Sequence, residues 1–154
     1  MNPSITIRRA LPSDFEAIMP LVIAMTAELT GETADGVVVD QITAEALGSL
    51  AGAEDDGIFV ALDGDNVVGC GRARVLPYHP LFRFRSSAAH GYIESMYVRS
   101  SARRQGIGRQ LVAAMEAWLI GLGTTDITLH FTQRSRDFYH SMGYEVFREM
   151  HKKT

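Results

Sequence analysis

Features of secreted, membrane and nucleic-acid-binding proteins are scarce in this sequence. Its 154 residues include one cysteine, Cys70, so no disulfide can form within the chain and we expect a reducing compartment. No apolar run approaches the roughly 18 residues that cross a membrane, and the N-terminus lacks the charged and apolar regions of a signal peptide. The net charge of −3 supplies no basic excess for nucleic acid. We therefore expect a cytoplasmic protein without a nucleic-acid or membrane partner.

The rest of the composition is that of a soluble globular protein. Hydrophobic residues make up 46% and charged residues 21% of the chain, and this length suffices for one sizeable core. We predict a single domain over residues 1–154. Cys70 lies in a predicted strand, and because cysteine is among the most frequently buried residue types, we expect a buried, inert thiol.

The spacing of apolar residues predicts alternating strands and helices. Period-two and continuous apolar runs mark the strands, and apolar residues three and four apart mark the helices. The order β-α-α-β-β-β-α-β-α-β indicates an α/β fold around a mixed sheet. Strands are expected at residues 5–8, 58–62, 67–76, 91–98, 127–131 and 144–150, and helices at 14–29, 43–51, 107–122 and 135–142.

Several of these elements have a predicted buried side. The strand 91–98 is nearly all apolar, which suggests that both of its faces are buried. Its one charged residue, Glu94, is expected on the same face as Met96 and Val98. Other apolar positions expected to face the core are Leu47, Leu50, Ile107, Leu111, Met115, Trp118, Leu119, Leu122, Ile127, Leu129 and Phe131.

The most informative segment runs from the end of this strand into the next helix. It reads VRSSARRQGIGR (residues 98–109), so Gly106 and Gly108 open the helix and Arg103 and Arg104 lie just before it. The start of a helix already carries about half a positive charge, and each cation there costs roughly 0.3–1 kcal/mol. A bound anion removes that cost. Bare N–H groups, glycines and arginines together predict a phosphate site.

Two known phosphate-binding motifs do not fit this segment. A dinucleotide-binding G-x-G-x-x-G needs a third glycine where Leu111 stands, and the glycines begin too far after the strand. A P-loop needs Gly-Lys-Ser/Thr, which does not follow. Taken alone, the pair of glycines is explained equally well by a helix that happens to begin with them.

Longer motifs around the glycines carry a family resemblance. Arg103-x-x-Gly106-x-Gly108 resembles the Q/R-x-x-G-x-G/A motif of the GNAT superfamily of N-acetyltransferases, and FYHSMGY (residues 138–144) is similar to the family's F-Y-x-x-x-G-F/Y segment. The sequence match covers residues 91–150, while residues 1–76 match only in the order of elements. The resemblance implies a GNAT-type acyl-CoA N-acyltransferase fold, acetyl-CoA as co-substrate without a metal, and acetyl transfer to an amine.

The same resemblance implies a set of cofactor-binding residues. In the family, backbone N–H groups at the glycine turn hold the CoA pyrophosphate, and the pantetheine arm pairs with the edge of the preceding strand, which is close to strand addition. An asparagine common before the last helix is replaced here by Thr132, which can still form hydrogen bonds. The residues so implicated are Met96, Tyr97, Val98, Arg103, Arg104, Gln105, Gly106, Ile107, Gly108, Arg109 and Thr132.

Amine acetylation needs a base for the amine and a proton for the leaving thiolate. Glu94 is a candidate because burying a lone carboxylate in an apolar strand is costly. It can serve as a general base through water or as an anchor for the substrate ammonium; the alternative is a structural salt bridge with Arg72 or Arg74. Tyr139 stands where many family members hold the phenol that protonates the CoA thiolate; the alternative is an aromatic side chain packed on the sheet.

Three histidines are weaker candidates. His79 and His90 flank the loop 77–90 and could act as an alternative base, because imidazole titrates near neutrality. A histidine without evident partners is nevertheless more often packed or solvated than catalytic. His130 is expected to be packed or hydrogen-bonded on its strand, and the histidine spacing gives no metal signature.

The sequence leaves the acceptor open. In the family its site includes the region here numbered 28–40, which is acidic and favours a cationic amine such as an aminoglycoside or polyamine. It also includes the loop 77–90, where Arg83 and Arg85 favour an acceptor with a carboxylate, such as an amino acid. Besides transfer to a small-molecule amine, a protein or peptide N-acetyltransferase and a non-catalytic acyl-CoA sensor stay open. So do the use of a longer acyl-CoA and the formation of a homodimer.

Overall fold

The core of the protein is a mixed sheet of five strands. The structure, a computed structural model, describes residues 5–31, 41, 43–44, 46–48, 50, 52–77, 89–146 and 152. The strands lie in chain order across the sheet; β1 to β4 are antiparallel neighbours, and β5 runs parallel to β4. They are β1 (Ile5–Arg9), β2 (Asp56–Asp63), β3 (Asn66–Leu76), β4 (His90–Val98) and β5 (Ile127–Leu129).

Helices cover the two faces of this sheet. They are α1 (Phe15–Thr30), α2 (Ile107–Gly121) and α3 (Arg136–His140), and the described residues between 41 and 50 are helical as well. The predicted helix 14–29 is confirmed, and it ends where Gly31 adopts the left-handed conformation with φ +71°. Each predicted strand from the first to the fifth is found, with ends that differ by a few residues.

Two apolar clusters hold the helices to the sheet. On one face, Ile18 and Leu21 of α1 pack with Val60 and Tyr97. On the other, α2 lies very close to the sheet because glycines replace side chains there. A methyl group on Gly71 would lie only 2.8 Å from Met115 Cε, and one on Gly91 only 2.8 Å from Leu119 Cδ1. These glycines therefore fix the depth at which α2 packs.

A β-bulge at Ser95 changes which way the side chains of β4 point. Tyr97 pairs with Cys70 and Glu94 with Arg72, so one residue of β3 faces two of β4, and Ser95 has φ +55°. Glu94 thus faces the α1 side, as Tyr97 does. Met96 and Val98 pack on the α2 side. The expectation that Glu94 shares a face with Met96 and Val98 is wrong, because a bulge interrupts the period-two alternation that it assumed.

Several predicted core positions are also wrong. Leu122 follows the last residue of α2 and is exposed, and Phe131 is exposed because β5 ends at Leu129. In the helical residues between 41 and 50, Leu50 packs against the core as expected, whereas Leu47 is exposed and Ala46 is buried. Of the predicted strand 144–150, residues 144–146 are irregular and the rest lie outside the described residues.

Candidate active site

The glycine turn is shaped to expose backbone N–H groups. Arg104 has φ +67° and Gly106 φ +78°, so left-handed residues alternate with others just before α2 begins at Ile107. The first hydrogen bond of the helix runs from Gln110 N–H to the Gly106 carbonyl. The N–H groups of Ile107, Gly108 and Arg109 therefore precede the helical ladder and point out of its end. Such a concave row of donors is a typical anion site.

The arginines of this turn differ in what they contact. Arg103 donates from Nε to the Val98 carbonyl at 2.8 Å and from Nη2 to both oxygens of Glu28. Arg109 donates from Nη2 to Ser141 Oγ at 2.7 Å. Arg104 is exposed. The guanidinium groups thus surround the turn, but two of them are already engaged with protein atoms.

One edge of β4 is open beside this turn. The pairing of β5 with β4 covers only Gly91 to Ile93. Beyond Ile93, β4 continues to Val98 with no partner strand on that side among the described residues. The backbone groups of an unpaired edge are available to a ligand. A short 3-10 turn at Ser100–Ala102 separates β4 from the glycine turn. Arg103, at the start of the glycine turn, folds back to the end of the strand, where its Nε donates to the Val98 carbonyl at 2.8 Å. The glycine turn therefore lies beside the end of the open edge.

Glu94 lies in a row of alternating charges on the α1 face. Its Oε1 is 3.0 Å from Arg74 Nε and 3.3 Å from Arg72 Nη1. Arg72 also holds Asp56, with 2.6 Å between Nη2 and Oδ2. The salt bridges of Glu94 with Arg72 and Arg74, which are the structural alternative to a catalytic role, are therefore present. They do not bury the carboxylate, because about a quarter of the Glu94 side chain is exposed, 24%.

A cavity of about 90 Å3 adjoins this charged row. Its walls come from α1 on one side and from β2 to β4 on the other, and Ser95 at the bulge opens into it. Cys70 lines it and is buried, as expected, and desolvation raises the pKa of its thiol to about 12. The lining residues are Ile18, Val22, Met25, Ala46, Ile58, Cys70, Gly71, Arg72 and Ser95. The cavity is mainly apolar, with polar groups at one end.

Tyr139 lies on the other face of the sheet, next to the glycine turn. It belongs to the same buried cluster as Ile107 and Leu111 of α2, and its ring packs between Phe138 and Tyr144. Desolvation raises the pKa of its hydroxyl to about 12. Tyr139 is therefore both packed and protonated at neutral pH, and Glu94 lies across the sheet from it.

Thr132 caps the turn before α3. Its N–H donates to Ser135 Oγ at 2.9 Å, and the two hydroxyl oxygens are 3.1 Å apart. The asparagine of the family motif is thus replaced by a residue that stabilises its own turn. Only the Thr132 hydroxyl keeps hydrogen-bonding capacity for a ligand.

The two candidate histidines that the structure describes, His90 and His130, differ in their surroundings. His130 lies 2.5 Å from the Tyr92 hydroxyl through Nδ1, so the expected hydrogen bond is confirmed. His90 is buried at the start of β4. His79, Arg83 and Arg85 lie outside the described residues, as does most of the acidic region 28–40.

Glu28, expected only as part of the acidic region 28–40, has contacts that the sequence did not predict. It lies in the last turn of α1, where its carboxylate meets the Tyr97 hydroxyl at 2.8 Å as well as Arg103. A sequence signal existed, because an acidic residue at the carboxyl end of a helix is unfavourable unless something nearby compensates it. The partner could not be read from the sequence, since it lies far away along the chain.

Within the described residues, no helix has the length and apolarity needed to span a membrane. In the same part of the chain, no three His, Cys, Asp or Glu side chains are grouped as metal ligands.

Comparison with known proteins agrees with this architecture. The chain matches the acetyltransferase (GNAT) family model over residues 25–144. It is 31% identical to an aminoglycoside N(6')-acetyltransferase type 1 of Stenotrophomonas maltophilia, over 79% of this chain and 72% of that protein. It is 31% identical to an L-ornithine N5-acetyltransferase of Arabidopsis thaliana, over 55% of this chain but only 37% of that protein.

The solved structures include the same fold. A predicted acetyltransferase with acetyl-CoA from Clostridium acetobutylicum superimposes with a TM-score of 0.82, covering 97% of this chain and 96% of that one. At 15% sequence identity, this likeness establishes the fold. The mixed sheet with its helices is the GNAT acyl-CoA N-acyltransferase fold.

Proposed function

Since the chain belongs to the acetyltransferase (GNAT) family, we propose that it transfers the acetyl group of acetyl-CoA to a primary amine of a small molecule. One observation carries the proposal: the glycine turn with its N–H donors lies beside the end of the open edge of β4, where Arg103 Nε meets the Val98 carbonyl. An extended amide-containing arm can pair with the edge while its phosphate end meets the donors.

Acetyl-CoA would be held mainly by backbone groups. We assign its pyrophosphate to the turn from Arg103 to Arg109 and its pantetheine arm to the edge from Met96 to Val98. The guanidinium of Arg104 supplies positive charge beside the pyrophosphate. The Thr132 hydroxyl is assigned to the cofactor as well, in place of the family's asparagine. This arrangement needs glycine at position 106, where φ is +78°.

The acceptor is assigned to the α1 side of β4. The cavity there, of about 90 Å3 and mainly apolar, would receive an aminoalkyl arm of the acceptor. The named relatives act on an aminoglycoside and on L-ornithine, each of which carries more than one amine. Glu94, with part of its side chain exposed, would anchor or deprotonate the ammonium at the mouth of this cavity.

The reaction balances with these two side chains. The ammonium gives one proton to Glu94, through water, and that proton leaves to solvent. The neutral amine attacks the thioester carbonyl carbon, a C–N bond forms and the C–S bond breaks. The second amine proton ends on the CoA sulfur by way of the Tyr139 hydroxyl.

Tyr139 acts here as a relay. A phenol with a pKa of about 12 holds its proton more tightly than a thiol with a pKa of about 8.5. It therefore gives its proton to the sulfur only while it receives another from the nitrogen.

The test is a screen of the purified chain with acetyl-CoA and a panel of amines, read by mass spectrometry. The panel contains an aminoglycoside, a polyamine, ornithine, single amino acids and a lysine-containing peptide. We expect at least one small amine to gain one acetyl group while free CoA appears in equal amount. Acetylation of the peptide alone, or CoA binding without turnover across the panel, would contradict the proposal.

A further inference from the structure

Two charges in this protein lie at unfavourable ends of their helices and contact each other. Arg103 lies near the positive end of α2, and Glu28 lies in the negative last turn of α1. Nη2 of Arg103 is 2.9 Å from Glu28 Oε1 and 3.0 Å from Oε2. Each residue therefore compensates the cost of the other, and the pair joins two helices on opposite faces of the sheet.

Tyr97 contacts both members of this pair. Its hydroxyl donates to Glu28 Oε1 at 2.8 Å, and the Arg103 guanidinium carbon lies 5.2 Å from the centre of its ring. These contacts, the Tyr97 hydrogen bond first and the Arg103 hydrogen bond second, lower the pKa of Glu28, and the charge of Arg134 adds to this. Glu28 is thus held as a carboxylate by groups on β4 and on the glycine turn.

The position of this group connects the two halves of the proposed site. The backbone of Arg103 begins the turn assigned to the pyrophosphate, and its Nε holds the Val98 carbonyl at the end of the open edge. Glu28 is on the helix whose residues Ile18 and Val22 line the cavity. A ligand that orders the turn therefore also restrains α1.

We propose that Arg103, Tyr97 and Glu28 form a positioning bridge by which acetyl-CoA, bound at the glycine turn, holds the last turn of α1 against β4. The inference rests on the proposed donor site, and it assigns the Arg103 side chain to α1. Because coupling is reciprocal, an acceptor that fixes α1 strengthens acetyl-CoA binding as well. The side chains are about two-fifths exposed, 37% for Arg103 and 43% for Glu28, so the effect on affinity is modest.

The test uses CoA alone, so it does not depend on the acceptor. Hydrogen exchange of the backbone amides of α1 is measured with and without CoA, and the Kd for CoA is measured by calorimetry. In the wild type we expect CoA to slow exchange in the last turn of α1. In Glu28→Gln and Tyr97→Phe we expect that protection to be lost, with the Kd raised about fivefold or less.

Two variants complete the design. Arg103→Lys keeps the charge at the turn but cannot reach the Val98 carbonyl and both Glu28 oxygens together, so it should lose the α1 protection, with the Kd for CoA raised about fivefold or less. Glu16→Gln removes an exposed carboxylate from the first turn of the same helix and should behave as wild type.

The outcomes separate the inference from the proposed function. CoA-dependent protection of α1 that persists in Glu28→Gln and Tyr97→Phe overturns the bridge. So does tight CoA binding that leaves α1 exchange unchanged in the wild type. Failure of the wild type to bind CoA contradicts both the donor site and the bridge, whereas absence of turnover with every amine contradicts only the proposed function.

Discussion

Glu94 of β4 lies opposite Arg72 of β3 in the strand register, with 3.3 Å between its Oε1 and the Arg72 Nη1. Arg72 in turn is held by Asp56 of β2. The carboxylate assigned to the acceptor amine is thus fixed by a cross-strand pair, and Arg74 supports it from the same strand as Arg72. Its geometry comes from the sheet, and part of it stays accessible.

Replacement of Glu94 by Gln distinguishes a role in catalysis from a purely structural role. We expect a kcat about 10²-fold lower and an unchanged Kd for CoA, because the donor site lies on backbone groups. Asp56→Asn is the matched control: it removes the other partner of Arg72 and leaves Glu94 in place. The kcat of both variants is measured by steady-state kinetics. An equal loss of kcat in Glu94→Gln and Asp56→Asn would show that Glu94 has only a structural role.

Tyr139→Phe removes one oxygen from a buried ring. We expect kcat to fall about 10²-fold, with little change in melting temperature, since the ring packing against Phe138 and Tyr144 is kept. Tyr144→Phe is the control, because its hydroxyl donates to Glu116 at 2.7 Å. That variant should lose about 1 kcal/mol of stability and keep its kcat. Normal turnover in Tyr139→Phe would contradict the role of Tyr139 as the proton relay to the CoA sulfur.

The two glycines of the turn should respond differently to alanine. Gly106 has φ +78° and nothing near its missing side chain, so Gly106→Ala costs roughly 1–2 kcal/mol through the backbone alone. A methyl on Gly108 would lie 3.4 Å from Phe138 Cζ, which is an ordinary contact. The Gly108→Ala variant should therefore be as stable as the wild type. Calorimetry should show weaker CoA binding in Gly106→Ala, because a side chain there disturbs the left-handed turn that presents the N–H donors. Gly108→Ala should keep its affinity, since the family motif accepts alanine at that position. Full affinity in Gly106→Ala would contradict the placement of the pyrophosphate.

Acid stability depends on Asp14 at the start of α1. Hydrogen bonds from Arg8, at 2.6 and 2.9 Å, and from the Leu11 N–H lower the pKa of this carboxyl. Because the folded pKa lies below the unfolded value of 3.8, the stabilisation is present above that pH and is lost as the pH falls through the folded value. Asp14→Asn should cost about 1.5–3 kcal/mol at pH 7. Urea unfolding at several pH values checks this: the difference between the proteins should shrink in acid, and a constant difference would argue against an ionic origin.

Cys70 should be unreactive in the native protein. It is buried, and its pKa is raised to about 12 by desolvation, so almost no thiolate exists at pH 8. A thiol reagent should label it only after the chain is unfolded with urea. Rapid labelling of the native protein would mean that the cavity beside Cys70 opens far more than the structure indicates.

Sequence patterns predicted those parts of the candidate site that are formed by residues close together in the chain. The glycine turn, α2 and the segment containing Tyr139 each depend on residues close together in the chain, and their patterns indicated both the element and its chemistry. The buried face of α2 followed from apolar spacing up to Leu119. Leu122 fell outside it because the helix ends at Gly121.

Features that depend on distant residues could not be predicted. The bulge at Ser95 reverses the face of Glu94, and no alternation pattern marks a left-handed serine inside a strand. The bridge from Arg103 to Glu28 joins residues 75 positions apart. Its only trace in the sequence is a pair of charges at unfavourable helix ends, which says that a partner is needed without saying which one.

The central claim is that the acetyl group passes from acetyl-CoA to an amine nitrogen on this protein. The most direct measurement follows acetyl-CoA labelled with carbon-13 in the acetyl group, mixed with the amine that responds in the screen. We expect the label to appear on the amine nitrogen in a one-to-one ratio with free CoA thiol, and Glu94→Gln and Tyr139→Phe to slow both together. Release of labelled acetate without labelled amine, or equal rates in the two variants and the wild type, would contradict this expectation.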